Sequence, residues 1–401
     1  MGRVSPPAAL VVLFSLVLTG AASADTPGVT SSRILVGSSG PLTGAAAASS
    51  DSLRGAAAYF RYVNARGGVH GRKIELVYLD DASSPVRARL NAHRLIADNG
   101  VFALFSVVGT NANLAIRGIA NGARVPQVFS SSGATTLGRD ARRYPWTIGY
   151  PPAFSAEGGV YARNILATRT ARTKVAVLYQ SDASGRDLVG GFRRALGAGG
   201  RRLIVKSIGY DPAGTDVPAQ VARLKASGAT TFCIFAFGRF AIQAVVSADR
   251  LGWHPRIYLS NVAAAASTMR LDPQRTAEGS VSILWAKDPS APRFANDAGV
   301  RLAGRIVAAY LPGLTPDSYV LGGMAAAYSF VDALRAAGKD LTRDGLMGAV
   351  THLTETSNPF LAPGIAVRTT PGWRFPIAEV RLQRWHRGHW VPFGPVLSAR
   401  P

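Results

Sequence analysis

Three stretches of this 401-residue chain place small hydroxyl and amide side chains directly ahead of helical patterns. They are VVGTNAN (Val107 to Asn113), SSSGATT (Ser130 to Thr136) and YQSDASG (Tyr179 to Gly185). The first N–H groups of a helix have no partner inside it, so with neighbouring Ser or Thr hydroxyls they form a ready site for a carboxylate. N-capping accounts for any one of these loops taken alone. Several such loops at strand ends on one edge point to binding instead.

A fourth stretch, ILVGSSGPLTGA (Ile34 to Ala45), reads as a strand entering a glycine-rich turn. It lacks the Lys-Ser/Thr pair of a P-loop, and glycines at 37, 40 and 44 do not fit G-x-G-x-x-G. Asp80 and Asp81 end the second strand, where a dinucleotide site keeps the carboxylate for the ribose hydroxyls, so a nucleotide-dependent enzyme stays as an alternative. The glycine spacing counts against it, as does the exported location argued below. There is no G-x-S-x-G elbow and no H-E-x-x-H. His386 and His389 in WHRGHW have no thiol or carboxylate beside them in sequence and read as exposed hairpin residues. Cys233, the single cysteine, lies in the apolar run TTFCIFAFG and reads as a buried small hydrophobe, with no disulfide possible within the chain. No catalytic constellation, metal site or cofactor is expected.

The elements that must position these residues repeat one pattern: a short apolar run, a turn, then a helical segment. RILVGSS precedes a helix over Asp51 to Ala65, with Leu53, Ala57, Phe60 and Val63 at helical spacing. Ile74, Leu76 and Tyr78 alternate as on a strand, a helix follows around Pro85 to Asn99, VFALFSVV precedes a helix from Leu114 to Ala123, and VPQVFSS follows. After the break RRYPWTIGYPPAFS the rhythm restarts: KVAVLYQ leads to a helix from Gly185 to Leu196, RRLIVKSIGY to Pro218 through Ser227, TTFCIFAF to Ala241 through Leu251, and PRIYLSN to an Ala-rich turn. Strands separated by such helices imply parallel β-α units, whose right-handed crossovers gather the strand-to-helix loops on one edge. Two helical segments follow, Phe294 to Tyr310 and Asp317 to Ala337, and PIAEVRLQRWHRGHWVPFG then reads as a β-hairpin turning at Arg387-Gly388. A tail so unlike its neighbours implies that the chain crosses between its two α/β lobes more than once.

Composition narrows the class. The net charge is +22, carried by 39 Arg and 6 Lys, yet no run reaches five basic residues, so the clustered footprint of a nucleic-acid protein is missing. The charge favours anionic ligands or an anionic surface. The start, MGRVSPPAALVVLFSLVLTGAASADTPG, has a basic residue, a short apolar core and Ala22-Ser23-Ala24, the layout of a secretory signal cleaved after Ala24. No cysteine sits at that junction, which argues against a lipid anchor, and no later run reaches about 18 apolar residues. The mature protein is therefore expected in a periplasm or secreted.

The stretches ILVGSSGPLTG, YFRYVNARGGVHGRKIELVYLDD, ARVPQVFSSSGATT, YPWTIGYPP, KVAVLYQSDASGRD, ARLKASGAT, LGWHPRIYLSN and HWVPFG, in that order, resemble a type I periplasmic solute-binding protein of the branched-chain amino acid and amide (Leu/Ile/Val-binding) group that serves ABC transporters. The resemblance implies two Rossmann-like α/β lobes with parallel sheets joined by three hinge crossovers, a cleft that closes on a solute, and a monomer that meets permease subunits. It puts lobe one at 25–149 plus 286–355 and lobe two at 150–285 plus 356–401. It implies that Gly109, Thr110, Asn111, Ser132, Gly133, Ala134 and Thr135 hold the ligand carboxylate, and that Gln180, Ser184, Phe237, Arg239 and Asn261 complete the site from lobe two. Gly37 to Gly44 become part of the cleft wall, followed by small residues (AAAASSD) where relatives often carry an aromatic. Amino-acid binders of this family place an acidic residue after the strand matching IYLS, whereas this chain has NVAAAAS, and a buried ammonium without a partner is costly. Ser184 also replaces a common Tyr, and Arg239 adds positive charge at a loop expected to face the cleft. These departures point to a ligand with a carboxylate or other anionic group and no ammonium, such as an aliphatic or aromatic organic acid, beside the branched-chain amino acids and amides of the group. A sensing module of the same fold without a transporter is the nearest alternative.

Overall fold

The computed structural model describes residues 1–2, 26–272 and 276–401. All but the first two residues of the expected signal peptide lie outside them. Strands β1 (Arg33–Gly40), β2 (Lys73–Asp80), β3 (Ala103–Phe105), β4 (Gln127–Ser130) and β5 (Thr147–Gly149) form a parallel sheet in the order β2-β1-β3-β4-β5. Between them run α1 (Asp51–Asn64), α2 (Pro85–His93), α3 (Thr110–Gly122) and α4 (Thr136–Arg139). Ile34 and Val36 face one hydrophobic core while Leu35 faces another, the alternation of a sheet buried on both sides.

The chain passes into α5 (Phe154–Thr168), β6 (Val175–Gln180), α6 (Ala183–Gly200, broken at Gly197), β7 (Ile204–Tyr210), α7 (Pro218–Lys225), β8 (Thr231–Phe235), α8 (Arg239–Arg250), β9 (Arg256–Leu259), α9 (Ala266–Met269) and β10 (Val281–Leu284). It returns for α10 (Ala298–Tyr310), α11 (Ser318–Ala336), α12 (Arg343–Val350) and the pair β11 (Thr354–Glu355) and β12 (Val367–Arg368), then ends in the hairpin β13 (Glu379–His386) and β14 (His389–Ser398). The second sheet runs β14-β13-β10-β9-β8-β6-β7, parallel except for the hairpin. Arg387 (φ 51°) and Gly388 (φ 84°) make a two-residue turn with both φ positive, the geometry whose twist suits a tight hairpin. Trp385 and Trp390 face each other across it, with ring centroids 5.2 Å apart. His386 meets the carboxylate of Glu278 at 2.7 Å, a partner 108 positions away that sequence proximity could not show.

Each sheet begins at an inner strand, β1 or β6, and the chain then steps to opposite sides of it. Ligands of open α/β sheets bind at the carboxyl ends of strands at such a reversal. Lobe one takes back α10, α11 and α12, whose apolar faces join Phe60, Phe105 and Val128 in one core. That core also holds Phe360, Leu361, Ile365, Val367 and Ile377, with Phe360 set edge-on against Tyr59 at 5.6 Å. Lobe one thus keeps the chain through Ile377 rather than releasing it at residue 356, because these apolar side chains fill the space beneath α1 and α11. The chain rejoins the second sheet at Glu379.

Candidate functional site

Strand β1 delivers the glycine-rich turn, and the carboxylates ending β2 hold it. Asp80 accepts the Leu42 N–H at 2.8 Å and the Thr43 hydroxyl at 2.6 Å, and the hydroxyl foremost keeps its carboxyl below the usual range. Asp81 accepts the Ser39 hydroxyl at 2.7 Å, while burial pushes its carboxyl up. Both carboxylates serve the chain's own loop, the office for which a ribose was the alternative.

The loops after β3 and β4 stand side by side. Gly109 (φ 93°) lets the chain turn into α3, so Thr110 and Asn111 lie in the first helical turn and not in the loop expected before Leu114. The Thr110 and Ser132 hydroxyls lie 2.8 Å apart, and Ser132 Oγ accepts the Ala134 N–H at 3.2 Å. Gly133 stands where a Cβ would come within 2.7 Å of the Pro152 carbonyl and 2.8 Å of the Phe154 ring. Thr135 Oγ1 meets Ser155 Oγ at 2.6 Å, and the Thr135 N–H donates to Asp187 Oδ2 at 2.8 Å.

Lobe two answers from α6. Asp182 caps this helix, accepting the Ser184 and Gly185 N–H groups and the Ser184 hydroxyl (2.6 Å) at Oδ1. Its Oδ2 takes the Gln180 amide at 2.7 Å and, from lobe one, the Asn111 amide at 3.1 Å. Gln180 Oε1 in turn accepts the Tyr210 hydroxyl, which receives the Phe237 N–H. The Phe237 ring stacks on Phe154 at 5.7 Å. Arg239 is placed differently from the sequence expectation: exposed, it reaches the Gly214 carbonyl at 3.4 Å and lies over the Phe240 ring. As the first residue of α8 it points its guanidinium to the neighbouring loop rather than to the donors of lobe one.

Asn261 meets an acid that no residue after β9 supplies. Glu157, fully buried in the first turn of α5, accepts the Asn261 N–H at Oε1 (2.6 Å) and the Asn261 side-chain amide at Oε2. The Tyr161 hydroxyl donates to Oε1 at 2.8 Å. Burial pushes Glu157 up to about 7 despite these hydrogen bonds. Asn261 Oδ1 accepts the Trp285 indole N–H at 3.3 Å, and that ring abuts Gly322 of α11. A second rim forms where Ser267 donates to Asp317 Oδ2 at 2.5 Å and the Tyr319 hydroxyl to the Val262 carbonyl. The two sheet edges therefore face each other closed, with Asp182 and Asp187 on one rim and Asp317 on the other.

Sequence reasoning named Gln180 and Ser184 but passed over the acids between and beyond them. The position of Asp182 ahead of a helix was a capping signal. Asp187 and Glu157 gave no local sign, since their partners lie 52 and 104 positions away.

Residues 33–389 match the family model described as periplasmic binding protein. The chain is 28% identical over 220 residues to "Leu/Ile/Val-binding protein homolog 3" of Brucella melitensis biotype 1, covering 53% of this chain and 57% of that one. It spans about half the length of the curated relatives it matches. Among solved structures it resembles a branched chain amino acid ABC transporter protein from Thermus thermophilus with bound valine (TM-score 0.79, 18% identity, 92% of this chain and 97% of that one). A solute binding protein of an ABC transporter from Rhodopseudomonas palustris BisB5, in complex with 3,4-dihydroxybenzoic acid, gives a TM-score of 0.76 at 21% identity, covering 92% and 98%.

Proposed function

From the premise that this chain belongs to the periplasmic binding protein family, we propose that it captures a small carboxylate-bearing solute between its lobes, outside the cytoplasm, and delivers it to an ABC transporter. The observation that carries the reading is the pairing across the cleft: donors on the loops after β3 and β4 already receive carboxylates from α6. A site whose N–H and amide groups donate to a protein carboxylate has the chemistry to donate to a solute's. Valine and 3,4-dihydroxybenzoic acid, bound by the two structural neighbours, each carry that group.

Thr110, Ser132, Ala134 and Thr135 form the carboxylate side, and Gln180, Phe237 and Asn261 the facing wall. Glu157 is a poor partner for an ammonium, because Asn261 and Tyr161 engage both its oxygens and burial holds it near half-protonated at neutral pH. The reading is therefore an organic acid rather than an amino acid. Closure on the solute shifts the protein to the state that permease subunits recognise.

A thermal-shift screen of mature protein against aromatic acids, aliphatic acids, amides and branched-chain amino acids tests this. A ligand at 100 times its Kd adds about 2.7 kcal/mol by mass action. Stabilisation by acids and not by leucine or valine is the expected result. No shift with any carboxylate overturns the reading, and a shift with leucine alone overturns its ligand class.

A further inference from the structure

Asp187 stands out among the cross-lobe contacts because of what it occupies. It lies on the second turn of α6, whose Leu188, Val189 and Phe192 are packed in the core of lobe two, so its position is fixed by that lobe. Its Oδ2 receives the backbone N–H of Thr135, which belongs to lobe one. The same Thr135 is tied through Oγ1 to Ser155, so the N–H keeps its direction. Five residues earlier, at the N-cap of the same helix, Asp182 holds Asn111. The two carboxylates of α6 thus grip the two loops that the proposed function assigns to the solute carboxylate.

We propose that Asp187 is the affinity-setting residue of the cleft: an internal carboxylate that holds the Thr135 donor until a solute carboxylate displaces it. The inference rests on the proposed function for the identity of the competitor, and on the Asp187–Thr135 contact for the mechanism. One N–H serves one carboxylate oxygen well, so solute and Asp187 exclude each other there. The solute must repay the contact it breaks, and this lowers its apparent affinity in the way a populated non-binding state does. Burial raises the Asp187 carboxyl above its usual range, more than Thr135, Arg194 and Arg139 lower it, so the charged form gains little from staying put once a solute arrives.

The sign of one effect separates this role from that of a closure strut. A residue that only helps the lobes to close would weaken solute binding when removed, whereas a competitor strengthens it. Asp187→Ala should bind 3,4-dihydroxybenzoate, the probe to be titrated calorimetrically, at least about tenfold more tightly than wild type, the factor expected of one charge-assisted hydrogen bond. Asp187→Asn, which keeps an acceptor without the charge and preserves shape if the alanine variant folds poorly, should fall between them. Without any probe, small-angle scattering should show Asp187→Ala more open than wild type. Equal or weaker probe binding by both variants overturns the proposal, as does unchanged scattering. If neither wild type nor variant binds any carboxylate, the functional reading fails, and scattering alone then decides whether Asp187 holds the cleft shut.

Discussion

Glu157 carries a carboxyl that its surroundings prefer protonated. Its pKa rises from 4.5 to about 7, so its contribution to stability is fully present below the unfolded value and is lost as pH climbs through about 7. Glu355, buried in lobe one beside Asn358 and Ser329, is also pushed to about 7 by burial and acts in the same direction. Each is worth on the order of 3 kcal/mol over that window. Calorimetry at pH 5, 6.5 and 8 should find wild type melting lower as pH rises, with a shallower slope in Glu157→Gln and a shallower one still in Glu157→Gln with Glu355→Gln. Slopes parallel to wild type would contradict these assignments. That Thr110, Ser132 and Thr135 lie at adjoining strand ends was legible because they sit in short polar loops between an apolar run and a helix, a local pattern. Glu157 was not, because one glutamate in a first helical turn reads the same whether it meets water or Asn261. The direction of the Arg239 guanidinium was not legible for a related reason: a strand-end position fixes where a Cα stands, while Gly214 and Phe240 decide where the guanidinium goes.

At the level of elements, both lobes bring a helix pair together through glycine. In lobe one, a Cβ at Gly55 would meet the Val320 carbonyl at 2.3 Å and one at Gly323 the Ser52 carbonyl at 1.8 Å. In lobe two, a Cβ at Gly158 would meet the Leu188 carbonyl at 2.3 Å and one at Gly191 the Ser155 carbonyl at 2.0 Å. Backbone cannot yield as a side chain can, so Gly191→Ala and Gly323→Ala should each cost about 1–3 kcal/mol by denaturant unfolding. Gly304→Ala, on an open stretch of α10, should be neutral or gain up to about 1 kcal/mol through helix propensity. Equal behaviour of the three would refute the close-packing account. Periodicity revealed α1, α6 and α11 as helices but not α5, which follows the proline-rich break, and the hairpin turn Arg387-Gly388 was legible from its spacing. Helix starts were not: α3 begins at Thr110 and α6 at Ala183, since Gly109 and Asp182 end the loops sooner than the apolar pattern does. The stretch VFALFSVV forms only the short β3, because Ser106 takes a positive φ and breaks the regular strand, with a single bridge from Val108 to Ser131 beyond it.

Over the whole molecule, Trp285 is a tryptophan that spans the closure, donating to Asn261 of lobe two while its ring lies against Gly322 of lobe one. Any solute that alters the spacing of the lobes should change tryptophan emission, and Trp285→Phe in a Trp373→Phe background should lose most of that change, because the other four, Trp146, Trp253, Trp385 and Trp390, are buried, whereas half-buried Trp373 packs on Phe375 and under Arg400. A full response in Trp285→Phe would place the moving contact elsewhere. The late return of the chain carries a consequence for biogenesis. Residues up to Ile377 complete one core and the hairpin from Glu379 completes the other sheet, so a chain made from its N-terminus has neither half finished until its last two dozen or so residues emerge. Contacts such as Arg61 with Tyr310, 249 positions apart, must likewise wait for the returning chain. A ribosome stalled before residue 377 should therefore present a protease with two unfinished halves instead of one resistant domain.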